Sequence, residues 1–141
     1  MGDGCAFCAV INNEASSNIV FKNADSMAFL DTRPVFHGHC LLVPLKHVET
    51  FMDADDALVS KLFVDAKRVS EGIKRAMHSE GILIIVNNNI SQSIPHLHIH
   101  IIPRNNGDGL KGFMWPRHPY VDDKEAVEFA EKIRKELSSL N

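Results

Sequence analysis

No stretch of the chain is apolar for long enough to cross a membrane. Positive charge is not in excess either. The formal net charge is -3, so wholesale capture of nucleic acid by charge is not expected, and any anion must be held by a local cluster. Cysteine is scarce: Cys5, Cys8 and Cys40 are the whole supply. An odd count, with no basic-then-apolar leader at Met1–Cys5, argues against a disulfide framework and for a cytoplasmic protein. Repeats, low-complexity tracts and linker-like stretches are missing too. The 141 residues therefore read as one domain, long enough to bury a core without staples.

What the chain does have is concentrated in residues 93–104. His96, His98 and His100 alternate with Leu97, Ile99 and Ile101. A period of two predicts a strand, with imidazoles on one face and aliphatic side chains turned into a core. Alternate strand residues lie ~6.6 Å apart, which separates His96 from His100 by about 13 Å. A metal ion with ligands about 2 Å away can hardly hold all three. The histidines therefore have different jobs. The duller alternative is a solvated face that happens to carry histidine, and strict alternation backed by aliphatics argues against it.

The rest of the chain supplies a scaffold. Residues 18–22 and 26–31 read as strands around a turn near Asn23–Asp25, and 39–44 as a third, with Cys40 a small buried hydrophobe. Asp53 is expected to cap a helix reaching about His78, with Leu58, Leu62, Ala66, Val69, Ile73 and Met77 as its buried stripe. Lys61, Lys67, Arg68, Lys74 and Arg75 read as its wet face, His78 as an exposed end and Gly81 as the reversal after it. Residues 82–86 are a central strand, joined to the histidine strand as a hairpin. Asn105–Gly109 is a turn, and an irregular aromatic segment follows to Arg117. A last helix (about 122–140) starts at Asp122, with Glu125 completing a capping box and Ala126, Ala130, Ile133, Leu137 and Leu140 as its buried stripe.

Two chemistries can be assembled from these parts. Cys5-Ala6-Phe7-Cys8 is half a zinc site or a redox pair. A redox pair belongs between a strand and a helix N-terminus, and no strand precedes this one, which favours zinc. Cys5 and Cys8 with His47 and His96 make a closed structural site, holding an N-terminal arm of about residues 1–15 to the sheet. For His47 the alternative is a surface loop histidine. His39, His98 and His100 then stay free of metal, and free imidazoles suit phosphate chemistry. His98, flanked by two others, is the candidate nucleophile. Asn87, Asn88, Gln92 and Ser93 are neutral donors for phosphate oxygens, or simply turn formers.

At these residues the chain resembles the histidine triad (HIT) family of nucleotide-binding proteins. The signature stands here as His96-Leu97-His98-Ile99-His100-Ile101-Ile102, with Gln92-Ser93 before it and Pro103-Arg104 after it. Phe29-Leu30-Asp31 and the run Gly38 to Val48 are similar to the family's second block. Arg33-Pro34 and Pro44-Leu45 look closer to the fragile-histidine-triad branch than to the nucleoside phosphoramidase branch. The resemblance implies an α+β fold, an antiparallel sheet with one long helix, paired as a homodimer across a continuous sheet. It implies nucleotidyl hydrolase or transferase chemistry on a purine nucleotide or nucleotide conjugate. His98 matches the nucleophile that becomes nucleotidylated. His39 and His100 match residues that bind and polarise the α-phosphate, and Gln92 and Ser93 the contacts to the bridging oxygen and leaving group. Asp31 matches the ribose contact and Asn87 a further polar contact. A zinc-binding subset uses positions matching Cys5, Cys8, His47 and His96. One departure stands out: the family's loop before the triad is glycine-rich, whereas here it is Asn88-Asn89-Ile90-Ser91, shorter and without glycine.

Two classes of function remain open at this point. One is a hydrolase using covalent catalysis on His98, on dinucleoside polyphosphates, phosphoramidates or adenylated small molecules. The other is a zinc-stabilised nucleotide-binding protein with little turnover. A triad that holds a catalytic metal is a weaker third. Residues 107–117 are assigned to substrate choice or dimer contacts, and Trp115 to core packing or to a cover over the leaving group.

Overall fold

The computed structural model describes residues 4–110 and 117–140. Trp115 and most of the aromatic segment lie outside the described residues. The chain forms two compact units, 1–108 and 109–141. The first holds α1 (Ala6–Ile11), β1 (Ile19–Lys22), β2 (Ser26–Leu30), β3 (Cys40–Pro44), α2 (Asp56–Ala76), β4 (Gly81–Ile85) and β5 (Ile99–Arg104). The second holds α3 (Asp123–Ser138). The sheet runs β1-β2-β3-β5-β4 with every neighbouring pair antiparallel, which is the expected α+β arrangement.

Alternation in the strands gives the sheet two different faces. Ala28, Cys40, Leu42, Leu97, Ile99 and Ile101 point one way and pack under Leu62, Ala66, Val69 and Ile73 of α2. Met27, Phe29, Leu41 and Val43 point the other way and pack with Phe7 and Val10 of α1. Phe29 pairs with Leu41, and Leu41 with His100, so these three form a cross-strand row on the α1 face. Asp31 and His39 extend the same face, their backbones joined by Asp31 N–H to His39 C=O at 2.9 Å. Asp31, His39, His98 and His100 thus reach one end of one face by strand parity alone.

The turn after β1 is tied down by a group the sequence did not announce. Asn23 Oδ1 accepts from the backbone N–H groups of Asp25 and Ser26. Asn23 Nδ2 and the Ser26 hydroxyl both donate to the buried Asp65 Oδ2 at 2.8 Å. A carboxylate on the buried stripe of α2 is tolerable because two donors meet it there.

Several boundaries differ from expectation. Only the end of the triad stretch is strand: residues 93–96 bend and β5 begins at Ile99. Pro95 has no N–H for the ladder, and His96 N–H turns back to Ile94 C=O at 2.8 Å. The α2 cap is Asp55, which accepts from Leu58 N–H; Asp53 caps the preceding short turn through Thr50 instead. The reversal after α2 is made by His78 at φ +51°, while Gly81 already opens β4. Met77 is half out of the stripe at the helix end. Asp122 caps α3 as expected, but Glu125 reaches Val121 N–H and not the cap itself. No residue of α3 is buried, and Ile133 and Leu137 are each 59% exposed.

Candidate active site and metal cluster

The loop after β3 and the entry to β5 are joined by Leu97 N–H donating to Val48 C=O at 2.8 Å. That bridge sets His47 beside His96, their rings 4.9 Å apart. The short helix α1 brings in Cys5 and Cys8. Ligand atoms of Cys5, Cys8, His47 and His96 all lie within 4.8 Å of one another. The sulfur-to-nitrogen separations are 3.3 Å (Cys8–His47), 3.5 Å (Cys5–His96) and 3.7 Å (Cys8–His96). Tetrahedral zinc, with bonds of about 2.3 Å to sulfur and 2.0 Å to nitrogen, sets such edges at about 3.5 Å. The polarity of His96 agrees. Its Nε2–H donates to Pro44 C=O at 2.9 Å, which leaves the Nδ1 lone pair facing the sulfurs. Burial pushes the His96 pKa down to about 4, with the Pro44 hydrogen bond opposing and His47 and His98 adding to the fall, so the ring is neutral and fit to be a ligand.

The second cluster, Asp31 with His39 and His100, also has its ligand atoms within 4.8 Å. Its hydrogen-bond polarity is opposite. Val35 N–H donates to His39 Nδ1 at 3.1 Å, so His39 carries its proton on Nε2. That proton is directed at His100 Nδ1, 3.0 Å away, with Asp31 Oδ2 3.5 Å from the same nitrogen. A metal at this place would bind His39 through Nε2 and force the ring proton onto Nδ1, where it would meet the Val35 N–H. The cluster is built as a hydrogen-bond relay. His100 accepts on Nδ1 and therefore presents Nε2–H outward. His98 Nδ1–H donates to His96 C=O at 2.7 Å, which leaves the lone pair of His98 on Nε2. Backbone groups of fixed polarity thus set the tautomer of each ring.

Burial is the largest cause of the low pKa values here. It pushes His100 down to about 4, helped by His98 and His39 and opposed by Asp31. It lowers His39 against the opposing pull of Asp31, so the His39–Asp31 contact at 3.5 Å is one of a neutral ring with a carboxylate and not an ion pair. A histidine depressed in the folded state binds fewer protons than in the unfolded chain, so folding is favoured above the unfolded pKa of about 6.5 and disfavoured as pH falls towards 4. Denaturant midpoints are expected to drop between pH 7 and pH 5, and to drop less in His100→Asn, measured with the metal content held constant.

His98, His100, Asp31 and Ser93 line one cavity of about 570 Å³. Its other walls are Phe7 and Val10 of α1 with Phe29, Leu41 and Ile94, and its rim carries Ser16, Ser17, Thr32 and Arg33. Sequence reading missed this apolar wall. Its signal was the strand parity that places Phe29 beside Asp31 and Leu41 beside His39. Gly38 is needed at the entry to His39: φ is +92°, and a Cβ there would sit 2.6 Å from Met77 Cγ.

Known proteins share this fold. The model of the HIT domain matches residues 12–107. The chain belongs to the HIT family. It is 33% identical over 143 residues to adenylylsulfatase HINT3 of Arabidopsis thaliana, spanning 96% of this chain and 71% of that one. Protein hit of Bacillus subtilis is 32% identical over 143 residues and 97% of each chain. Among solved structures, a HIT family protein from Bacillus subtilis superposes with a TM-score of 0.86 at 29% identity, over 94% of this chain and 96% of that one. A histidine triad nucleotide-binding protein from Candida albicans gives 0.85 at 26% identity, over 98% and 100%. The matched HIT segment includes His47 and His96 but begins after Cys5 and Cys8.

Within the HIT fold the loop residues separate. Ser93 lines the cavity, whereas Gln92 and Asn87 are not among its described lining residues. Gln92 Nε2 donates to Glu49 C=O at 2.6 Å and its Oε1 accepts from Asn89 N–H at 2.9 Å, so the side chain staples its own loop. Asn88 Oδ1 accepts from Phe51 N–H at 2.7 Å. Without glycine, the loop makes its left-handed bends at Asn89 (φ +68°) and Ser91 (φ +59°). No helix of the described residues is long and apolar enough to cross a membrane.

Proposed function

We propose that the protein is a nucleotide hydrolase or transferase that cleaves at the α-phosphorus of a nucleotide conjugate through a nucleotidyl-His98 intermediate. The observation that carries this reading is the His98 Nδ1–H bond to the His96 carbonyl, which leaves Nε2 unprotonated on the wall of the cavity. The lone pair on Nε2 attacks phosphorus; the new P–N bond replaces the bond to the leaving group, which departs with its electron pair. His100 Nε2–H, oriented by His39, donates to a phosphate oxygen. Water then attacks the adduct, its proton goes to solvent, the P–N bond breaks and the nucleoside monophosphate leaves. Asp31 accepts from the ribose hydroxyls, and Phe7, Val10 and Phe29 form the apolar wall for a purine. Ser93 faces the leaving group. Gln92 reaches the bridging oxygen only if substrate draws it off Glu49.

Zinc on Cys5, Cys8, His47 and His96 would supply structural closure, with no open coordination position. Thiolate ligands fit a reducing compartment and so a cytoplasmic protein. A homodimer across a continuous sheet is supported by β4 lying at a sheet edge. The fragile-histidine-triad leaning rests on Arg33-Pro34 and Pro44-Leu45, while a relative with a printed activity is an adenylylsulfatase.

A substrate panel tests the reading: adenylyl sulfate, a dinucleoside polyphosphate and an adenosine phosphoramidate, with AMP release followed by chromatography. AMP is expected from at least one. Tight AMP binding with no release from any would instead establish the binding-protein reading.

A further inference from the structure

The two clusters are not independent. Both metal-ligating cysteines belong to α1, Cys5 as its N-cap and Cys8 in its first turn, and Cys8 N–H donates to Cys5 Sγ at 3.4 Å. The helix is six residues long, too short to persist without outside support. Its support is the ligand cluster at one end and the burial of Phe7 and Val10. The same Phe7 lines the nucleotide cavity. Its ring stands edge-on to His96, with centroids 5.8 Å apart, and edge-on to His98 at 5.1 Å. It also tilts against Phe29 at 5.5 Å. His96 adds a second link, since its ring faces the cysteines while its carbonyl holds the nucleophile.

We propose that Phe7 is a positioning residue through which the metal cluster and the nucleotide cavity are coupled, so that zinc and nucleotide each strengthen the binding of the other. Zinc fixes α1, and α1 carries the cavity wall that a bound nucleotide packs against. A nucleotide seated on Phe7 in turn holds α1, and with it Cys5 and Cys8, in the liganding position. Linkage makes the two effects equal in size. The inference rests on the nucleotide-site reading given above.

The test uses zinc-loaded protein and AMP as the probe. Zinc transfer to a coloured chelator is followed with and without saturating AMP, and AMP binding is measured separately by calorimetry. AMP is expected to tighten zinc retention at least about 5-fold. Phe7→Ala is expected to cut that factor to below about 2-fold at an unchanged zinc stoichiometry. Phe7→Leu, which keeps apolar volume, guards against a variant that fails to fold and should fall between the two. If calorimetry shows AMP bound while zinc release is unchanged, the coupling is wrong and the nucleotide site stands. Full coupling in both Phe7 variants overturns the role of that ring. Failure of AMP to bind the zinc-loaded protein overturns the nucleotide reading, and the coupling with it.

Discussion

On the covalent mechanism proposed above, His98→Ala is expected to lower turnover by about 10⁴-fold or more while AMP still binds within several-fold of wild type. Loss of a covalent nucleophile has effects of that order in other enzymes. Binding survives because Asp31, Ser93 and the apolar wall are contributed by other elements. Intact-protein mass spectrometry after an acid-sparing quench supplies the complementary readout: wild type gains one nucleotidyl group during turnover, and the variant gains none. Turnover that persisted in the variant would sink the covalent mechanism. His98 is 3% exposed, so the alanine leaves a void beside Phe7 and deprives the His96 carbonyl of its donor. A modest fall in stability is expected with it, and a melting curve separates that fall from the chemical effect.

On the zinc reading proposed above, Cys8→Ser is expected to lose the metal and to lower the melting temperature by roughly 10 °C, the equivalent of about 3 kcal/mol in a unit of this size. The hydroxyl is a poor substitute for thiolate, and Cys8 approaches both histidines of the cluster. Wild type in excess chelator should melt at the same lowered temperature. The five-stranded sheet should persist in both, because the cluster under α2 shares no residue with the arm. A chelator that stopped turnover and left the melting temperature alone would mark the metal as catalytic.

The sheet and α2 were legible because each buries one face, and a period of two or of three to four residues reports that directly. That His96 and His100 fall in different clusters was legible for a simpler reason: alternate strand residues lie too far apart to share one ion. Other features depend on partners distant in sequence. Asp65 reads as one more acid on a helix until Asn23 and Ser26 reach it. Gln92 reads as a phosphate donor, yet its amide meets Glu49, 43 residues away. Phe7 reads as a spacer between two cysteines, and its place between His96 and His98 follows from how α1 lies on the sheet. The α3 stripe is the converse case, a correct period without burial.

The Val35 amide has a wider consequence. Were the cysteine cluster to hold zinc with its two imidazoles, three more imidazoles and a carboxylate would lie close by, and a pocket of that composition invites stray metal. Binding there would crowd His98 and the cavity it lines. The Val35 amide keeps the His39 proton on Nε2, which makes this pocket a poor competitor for an ion that the cysteine cluster would hold.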